Sequence, residues 1–303
     1  MSRYAGGYAV ACGLASTGNE GNADRVVEES KRALMMERFP PILGLQDARP
    51  AAGLRDLRAA LRFGLARLLP QRCHLCGDGQ HAAVCAPCAD TLARIGPDAC
   101  PRCQLPSVGG QVCGRCIRKP PAWGRLAACW SYGFPLERVL MAAKYHAGFP
   151  VLAWAAGVAA ALRPAFAATR LTLLPVPLAP QRQAERGYNQ ALEIARVLLR
   201  DDRWRQDRLA LDAMIRLRET SSQQTLAWAA RRANVRGAFA ATRSLSGQAV
   251  LLVDDVLTTG ATLNELARAA LRAGAASVDA LVLARVSPPA RRIRVTPFDR
   301  AAA

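Results

Sequence analysis

The chain has 303 residues, 51% hydrophobic and 21% charged, the balance of an ordinary soluble protein with material for one large domain or two moderate ones. No apolar run reaches the roughly 20 residues that a bilayer-spanning helix needs; the longest candidate, 151–162, is short and Ala-rich, so a membrane span is excluded and a cytoplasmic location is expected. The net charge of +18 comes from Arg, with Lys31, Lys119 and Lys144 the only lysines; it suits affinity for polyanions and equally an Arg-favouring codon bias spread over solvated faces.

Residues 1–50 show no sustained period and few bulky apolar residues. They read as a disordered extension, or as sequence upstream of a start at Met35 or Met36, and the apolar patch at 8–14 makes a poor signal peptide. Over 51–70, Leu54, Leu57, Leu61, Leu65 and Leu68 share one helical face, with Arg55, Arg58, Arg62 and Arg67 mostly on others. Such a basic amphipathic helix can lie on a membrane or on nucleic acid; packing on its own protein is the simpler expectation.

The block 71–118 carries four CxxC pairs: Cys73/Cys76, Cys85/Cys88, Cys100/Cys103 and Cys113/Cys116. Two thiolates three positions apart grip one Zn²⁺ from a tight turn, and two such knuckles complete a tetrahedral site. Four knuckles therefore suit two structural zincs in two consecutive ribbons, with an interleaved pairing left open by the spacing. Disulfides or redox pairs are the competing reading, disfavoured by four regular repeats without a secretory signal. Closed four-thiolate sites leave no open coordination position, so they read as structural or partner-binding. His74 and His81 are expected to be bystanders, Cys12 and Cys129 free thiols, with Cys129 facing a core.

From 122 to 287 strands and helices alternate. Strands are expected at 126–132, 171–176, 213–217, 249–253 and 278–286, and helices at 136–146, 151–162, 189–199 and 262–273. Strands separated by helices of this length predict an α/β domain with a mostly parallel sheet covered on both faces. The Pro/Arg-rich tail, 288–303, reads as irregular.

The run from 249 to 262 is AVLLVDDVLTTGAT. A buried strand delivers Asp254 and Asp255 to its carboxyl end, where ligands of open α/β sheets bind. Thr258, Thr259, Gly260, Ala261 and Thr262 can wrap a phosphate with hydroxyls and backbone N–H groups, and the following helix adds its positive end. The small residues Gly260 and Ala261 allow close approach. There is no Gly-Lys-Ser/Thr, so this is not a Walker loop.

This run resembles the phosphoribosyl-pyrophosphate motif of type I phosphoribosyltransferases. The resemblance implies that Asp254 and Asp255 hold the ribose 2′ and 3′ hydroxyls, directly or through Mg²⁺, and that Thr258 to Thr262 hold the 5′-phosphate. It places the pyrophosphate loop after Leu174-Pro175-Val176-Pro177, where Arg182 and Arg186 could supply charge beside Gly187; solvated loop arginines are the plainer alternative. The stretch 218–237, with Ser221, Ser222, Gln223, Gln224, Arg231, Arg232, Asn234 and Arg236, falls where this fold carries a flexible lid.

Joined to the four CxxC pairs, Lys144-Tyr145, Pro175-Val176-Pro177 and Arg186-Gly187-Tyr188-Asn189-Gln190, the run resembles the ComF/GntX family of bacterial competence and DNA-utilisation proteins. The resemblance spans about residues 70–286. It implies phosphoribosyl-pyrophosphate binding with Mg²⁺ and a role in handling imported DNA, with single-stranded DNA and a competence helicase as partners. Three roles stay open: phosphoribosyl transfer with pyrophosphate leaving C1 of the ribose, a non-catalytic DNA-binding adaptor, and a nucleotide-metabolism transferase with an amine or base acceptor. Thr258 stands where the purine-salvage branch carries an acid, which disfavours a purine base as acceptor.

Overall fold

Seven strands are found in the computed structural model, which describes residues 72–79, 82–143, 149–217 and 235–288. They are β1 (Leu126–Ser131), β2 (Thr172–Pro175), β3 (Arg208–Leu209), β4 (Met214–Arg216), β5 (Phe239–Ala241), β6 (Ala249–Leu257) and β7 (Ser277–Arg285). Five of them form one all-parallel sheet in the order β1-β7-β6-β2-β3, and β4 and β5 form a separate antiparallel pair. The helices are α1 (Ala86–Asp90), α2 (Gly114–Arg118), α3 (Leu136–Ala142), α4 (Phe149–Ala159), α5 (Pro180–Arg186), α6 (Gln190–Leu198) and α7 (Ala261–Arg272). The expected extension 1–50, the amphipathic helix 51–70, His81, Lys144-Tyr145, most of the lid (218–234) and the tail from 289 lie outside the described residues.

The unbroken apolar stretch Val250 to Val253 is fully buried, which demands cover on both faces. On one face Leu251, Val253, Leu281 and Leu283 pack with α3, α4 and α6. On the other Val250, Leu252, Ala280 and Val282 pack with α7 and the β4–β5 pair. Helix α6 begins where Asn189 caps it, its side chain accepting from the Ala191 and Leu192 amides, and Ile194, Ala195 and Leu198 form its buried stripe. The expected helix 151–162 starts two residues earlier and yields to a 3₁₀ segment, Ala160–Ala165, that contains Pro164; a ring without an N–H cannot continue an α-helix.

The strand expected at 213–217 is not part of the main sheet. Met214 to Arg216 pair antiparallel with Phe239 to Ala241, and the sheet edge is taken instead by the two-residue β3, paired at Thr172↔Arg208 and Leu173↔Leu209. The opposite edge, β1, is covered by the chain leaving the first cysteine group: Arg94 bridges Trp130, and Ala93 and Ile95 exchange backbone hydrogen bonds with Ser131 and Cys129. Neither edge of β1 is therefore left as a template for pairing with another chain.

Candidate functional site

The site arises from unequal pairing along β6. Its ladder to β7 runs to Leu257↔Arg285, whereas its ladder to β2 ends at Pro175↔Val253, with one further bond from the Val176 amide to the Val253 carbonyl at 2.9 Å. From Asp254 onward one edge of β6 has no strand beside it among the described residues, because β2 stops in Pro175-Val176-Pro177. The strand thus continues four residues past the expected 249–253, carrying both aspartates on a rigid element and not in a loop.

Asp254 is partly accessible at that edge, yet protein surrounds most of it. Desolvation, with the adjacent Asp255 carboxylate, raises its pKa well above the ordinary carboxylate range, and Arg216 at the end of β4 offsets part of this. The Asp255 amide donates to Asp254 Oδ1 at 2.9 Å, and the Val256 amide to Asp255 Oδ1 at 2.7 Å. Two neighbouring carboxylates in poor solvent suit a cation or sugar hydroxyls, since either relieves their repulsion.

After Leu257 the chain turns through Thr258, which is exposed, and Thr259, whose Oγ1 accepts from the Ala261 amide at 3.2 Å. Gly260 then takes a left-handed conformation (φ 78°) as the cap of α7. A Cβ there would also sit 3.1 Å from the Trp123 ring, so both backbone and packing call for glycine. The first-turn amides of α7 have no intrahelical acceptor and point out of its positive end. The five loop residues and the two aspartates are thereby brought to one end of β6.

The stretch expected as an open pyrophosphate loop contains α5 instead. Arg182 and Arg186 lie on this helix, which opens with Pro180 and closes at Gly187 in a left-handed conformation (φ 74°). Asn189 fastens the segment to the end of β2 by donating to the Val176 carbonyl at 3.0 Å. Tyr188 is buried, with its ring 4.5 Å from that of Phe149 and its hydroxyl donating to the Ala143 carbonyl; it serves packing.

The eight cysteines form two groups in sequence order, Cys73/Cys76/Cys85/Cys88 and Cys100/Cys103/Cys113/Cys116, each with its sulfurs within 4.8 Å of one another. This resolves the open pairing in favour of consecutive ribbons. The Cys76–Cys85 and Cys103–Cys113 sulfurs stand 3.7 Å apart, close to the ~3.8 Å that tetrahedral Zn–S bonds of about 2.3 Å require. Amides aim at the sulfurs: Cys85 N lies 3.4 Å from Cys73 Sγ, and Cys113 N 3.4 Å from Cys100 Sγ. Burial opposes ionisation of Cys73 and Cys100, but these hydrogen bonds prevail and bring the thiols to about 6 and about 7. Both groups can hold Zn²⁺, and His74 is in neither. Cys129 is buried on β1, its thiol pushed up to about 12 by desolvation.

Three residues of the site region were not singled out in the sequence. Arg216 acts on Asp254 across the β4–β5 pair, and Trp123 backs Gly260. Arg285 ends β7 almost fully buried, beside the loop. Only Arg285 left a signal, a lone charge closing the apolar run 280–284.

A double zinc ribbon domain model matches residues 64–117, and a phosphoribosyl transferase domain model matches residues 183–298. The DNA utilization protein YhgH of Escherichia coli strain K12 is 32% identical over 213 residues, covering 68% of this chain and 91% of the relative. Competence protein F of Haemophilus influenzae is 32% identical over 183 residues, covering 58% and 79%, and competence protein ComFC of Bacillus subtilis is 28% identical over 211 residues, covering 67% and 84%. Among solved structures, a hypoxanthine phosphoribosyltransferase from Staphylococcus aureus matches with a TM-score of 0.29 at 15% identity, covering 46% of this chain and 74% of that one.

Proposed function

Because the chain belongs to the ComF/GntX family, a double zinc ribbon followed by a phosphoribosyltransferase-type domain, we propose that it binds phosphoribosyl pyrophosphate with Mg²⁺ at the open end of β6 and acts in the uptake or use of imported DNA. The observation that carries the reading is the edge of β6 that has no strand beside it among the described residues, where Asp254 and Asp255 lead into the turn that ends at the left-handed Gly260, the cap of α7. The carboxylates take the ribose 2′ and 3′ hydroxyls, directly or through the cation. Thr258, Thr259, Gly260, Ala261 and Thr262 hold the 5′-phosphate with hydroxyls and amides. Arg182, Arg186 and Gly187 are the residues assigned to the pyrophosphate in this reading.

If the bound sugar phosphate reacts, an acceptor displaces pyrophosphate at C1 through an oxocarbenium-like transition state. Mg²⁺ supplies charge neutralisation to the leaving group. The aspartates orient the ribose, and their negative charge favours the developing cation at C1. With Thr at 258, the loop provides no acid-base group for a purine ring. One Zn²⁺ in each four-cysteine group is structural.

Calorimetry decides the binding step. Phosphoribosyl pyrophosphate with Mg²⁺ should give a saturable heat that Asp254→Ala removes; no heat from the parent protein, or an unchanged isotherm in the variant, rejects the reading.

A second activity, contact with a nucleic-acid strand, is favoured by one observation. A cleft of about 350 Å³ between the second ribbon and α7 is lined by Arg102, Arg115, Lys119, Arg236 and Arg268, with Glu265 its one acid. Single-stranded DNA should bind with an affinity that falls steeply with salt. Reversing Arg102, Arg115 and Arg268 to Glu should flatten the log–log slope by about 2, at roughly 0.7 per phosphate contact. A salt-independent affinity, or an unaltered slope in the variant, counts against this surface.

A further inference from the structure

The first knuckle of the second cysteine group is fastened to the core by three consecutive carbonyls. Pro101 O accepts from the Leu126 amide at 2.9 Å, Arg102 O from Trp123 Nε1 at 2.9 Å, and Cys103 O from Arg285 Nε at 2.8 Å. Two of these fastenings continue into the phosphate loop. Trp123 is the side chain against which Gly260 is packed. Arg285 turns its Nη1 to the carbonyls of Leu257 at 3.0 Å, Thr258 at 2.5 Å and Val286 at 2.5 Å. One guanidinium therefore joins the second cysteine group to the last residue of β6 and the first residue of the loop.

The charge of Arg285 needs an explanation. The residue is 3% exposed, and none of the ion pairs among the described residues includes it. Its charge is met by backbone carbonyl dipoles, those of Cys103, Leu257, Thr258 and Val286. A knuckle that loses its metal loosens the first of these carbonyls, and leaving a buried charged donor without its acceptor is strongly unfavourable. Through Nη1, Arg285 acts on the backbone at Leu257, Thr258 and Val286. Among the described residues the first group shows no such bonds to the loop: Cys73 and Cys85 join the core on the opposite face of the sheet, with Leu136 and Val139.

We propose that Arg285 is a positioning residue through which metal occupancy of the second cysteine group, and not of the first, sets the order of the loop at 257–262. The functional consequence rests on the reading of that loop as a sugar-phosphate site; the coupling itself does not.

Amide hydrogen exchange on the full chain tests it, at a temperature where every variant is folded and with zinc content measured in parallel. Cys113→Ser/Cys116→Ser removes ligands from the knuckle that makes none of the three carbonyl fastenings, so it takes away the metal without altering a fastening residue, and Arg285→Met checks the route. It should lose one zinc equivalent and speed exchange over 257–263 by at least about tenfold, with 190–198 in α6 still protected. Cys76→Ser/Cys88→Ser should also lose one zinc, yet leave 257–263 within about twofold of the parent. Arg285→Met should keep both zincs and show the fast loop.

An unchanged loop in Cys113→Ser/Cys116→Ser or in Arg285→Met overturns the proposal, as does equal loosening from the first group. If Cys113→Ser/Cys116→Ser unfolds globally, seen as lost protection at 190–198, Arg285→Met decides: a slow loop with both zincs retained refutes the coupling. Calorimetry on the same proteins separates the two ideas. A parent protein that binds no phosphoribosyl pyrophosphate refutes the site reading and leaves the exchange result standing.

Discussion

Asp254→Asn should melt at a higher temperature than the parent protein at pH 7 and should bind phosphoribosyl pyrophosphate with Mg²⁺ more weakly. The two halves have one cause. Burial and the neighbouring Asp255 raise the folded-state pKa of Asp254 well above the ordinary value. The folded state therefore holds the proton more tightly than the unfolded chain, whose Asp titrates near 3.9. The stability this gives is fully present below about pH 4 and is lost as pH rises through the folded-state pKa. The raised pKa therefore makes the group a growing cost to the folded state as pH rises above about 4, a cost that Asn avoids at pH 7, and each kcal/mol recovered should raise Tm by about 2–4 °C. The pH dependence of Tm above about pH 4 should flatten in the variant. Binding should weaken about 10- to 100-fold, the worth of a hydrogen bond to a charged group. Thermal melts from pH 4 to 8, paired with calorimetry at pH 7, read both. A variant less stable than the parent at pH 7 would mean that Asp254 is a structural hydrogen-bond acceptor, kept for the fold and not for a ligand.

The same residue shows which parts of the molecule were legible beforehand. The run 249–262 could be read because each of its determinants is local: an apolar strand, a pair of acids, small residues and a helix start within fourteen positions. The cysteine groups were equally local, and geometry settled only which knuckles pair. What could not be read depends on partners distant in sequence. That β6 runs on to Leu257 depends on β7 accompanying it after β2 has stopped. Met214 to Arg216 have the apolar character of a sheet strand, but their neighbour is Phe239 to Ala241, beyond the intervening 218–234. The strand that does take the sheet edge, Arg208–Leu209, is too short to show any period. Helix α5 was not expected because the resemblance put the pyrophosphate loop at Arg182, Arg186 and Gly187; Pro180 at its first turn and Gly187 just past its end were the available signals. Arg285 reaches Cys103 across 182 positions, a relation no spacing rule reports.

Cys76→Ser should destabilise the protein nearly as much as Cys85→Ser, although Cys76 is exposed and Cys85 is buried in the core. Packing alone predicts the opposite order, because an exposed side chain contributes little apolar burial. The reason lies in how little else holds the first ribbon. Its helix α1 is five residues long with no buried residue, far below the length at which helices sustain themselves. Yet its Cys73, Ala83, Val84, Cys85 and Leu92 are part of the cluster that includes α3 and α4. A four-sulfur site converts that short, loop-rich segment into a rigid plug only with its cation bound, and zinc-finger peptides gain about 10–16 kcal/mol from such a site. Either substitution should release one equivalent of zinc. Even if only about 4 kcal/mol of the metal's contribution is lost, Tm should fall by about 8–16 °C. Cys129→Ala supplies the scale for packing: it removes a buried thiol outside both groups, should keep both zincs, and should cost about 1 kcal/mol. Melting curves with zinc quantification compare the three. If Cys76→Ser behaves like Cys129→Ala while Cys85→Ser is severely destabilised, the first group is a core of cysteines and not a metal site. If Cys76→Ser tracks Cys85→Ser, the stability of this face of the sheet is metal-borne.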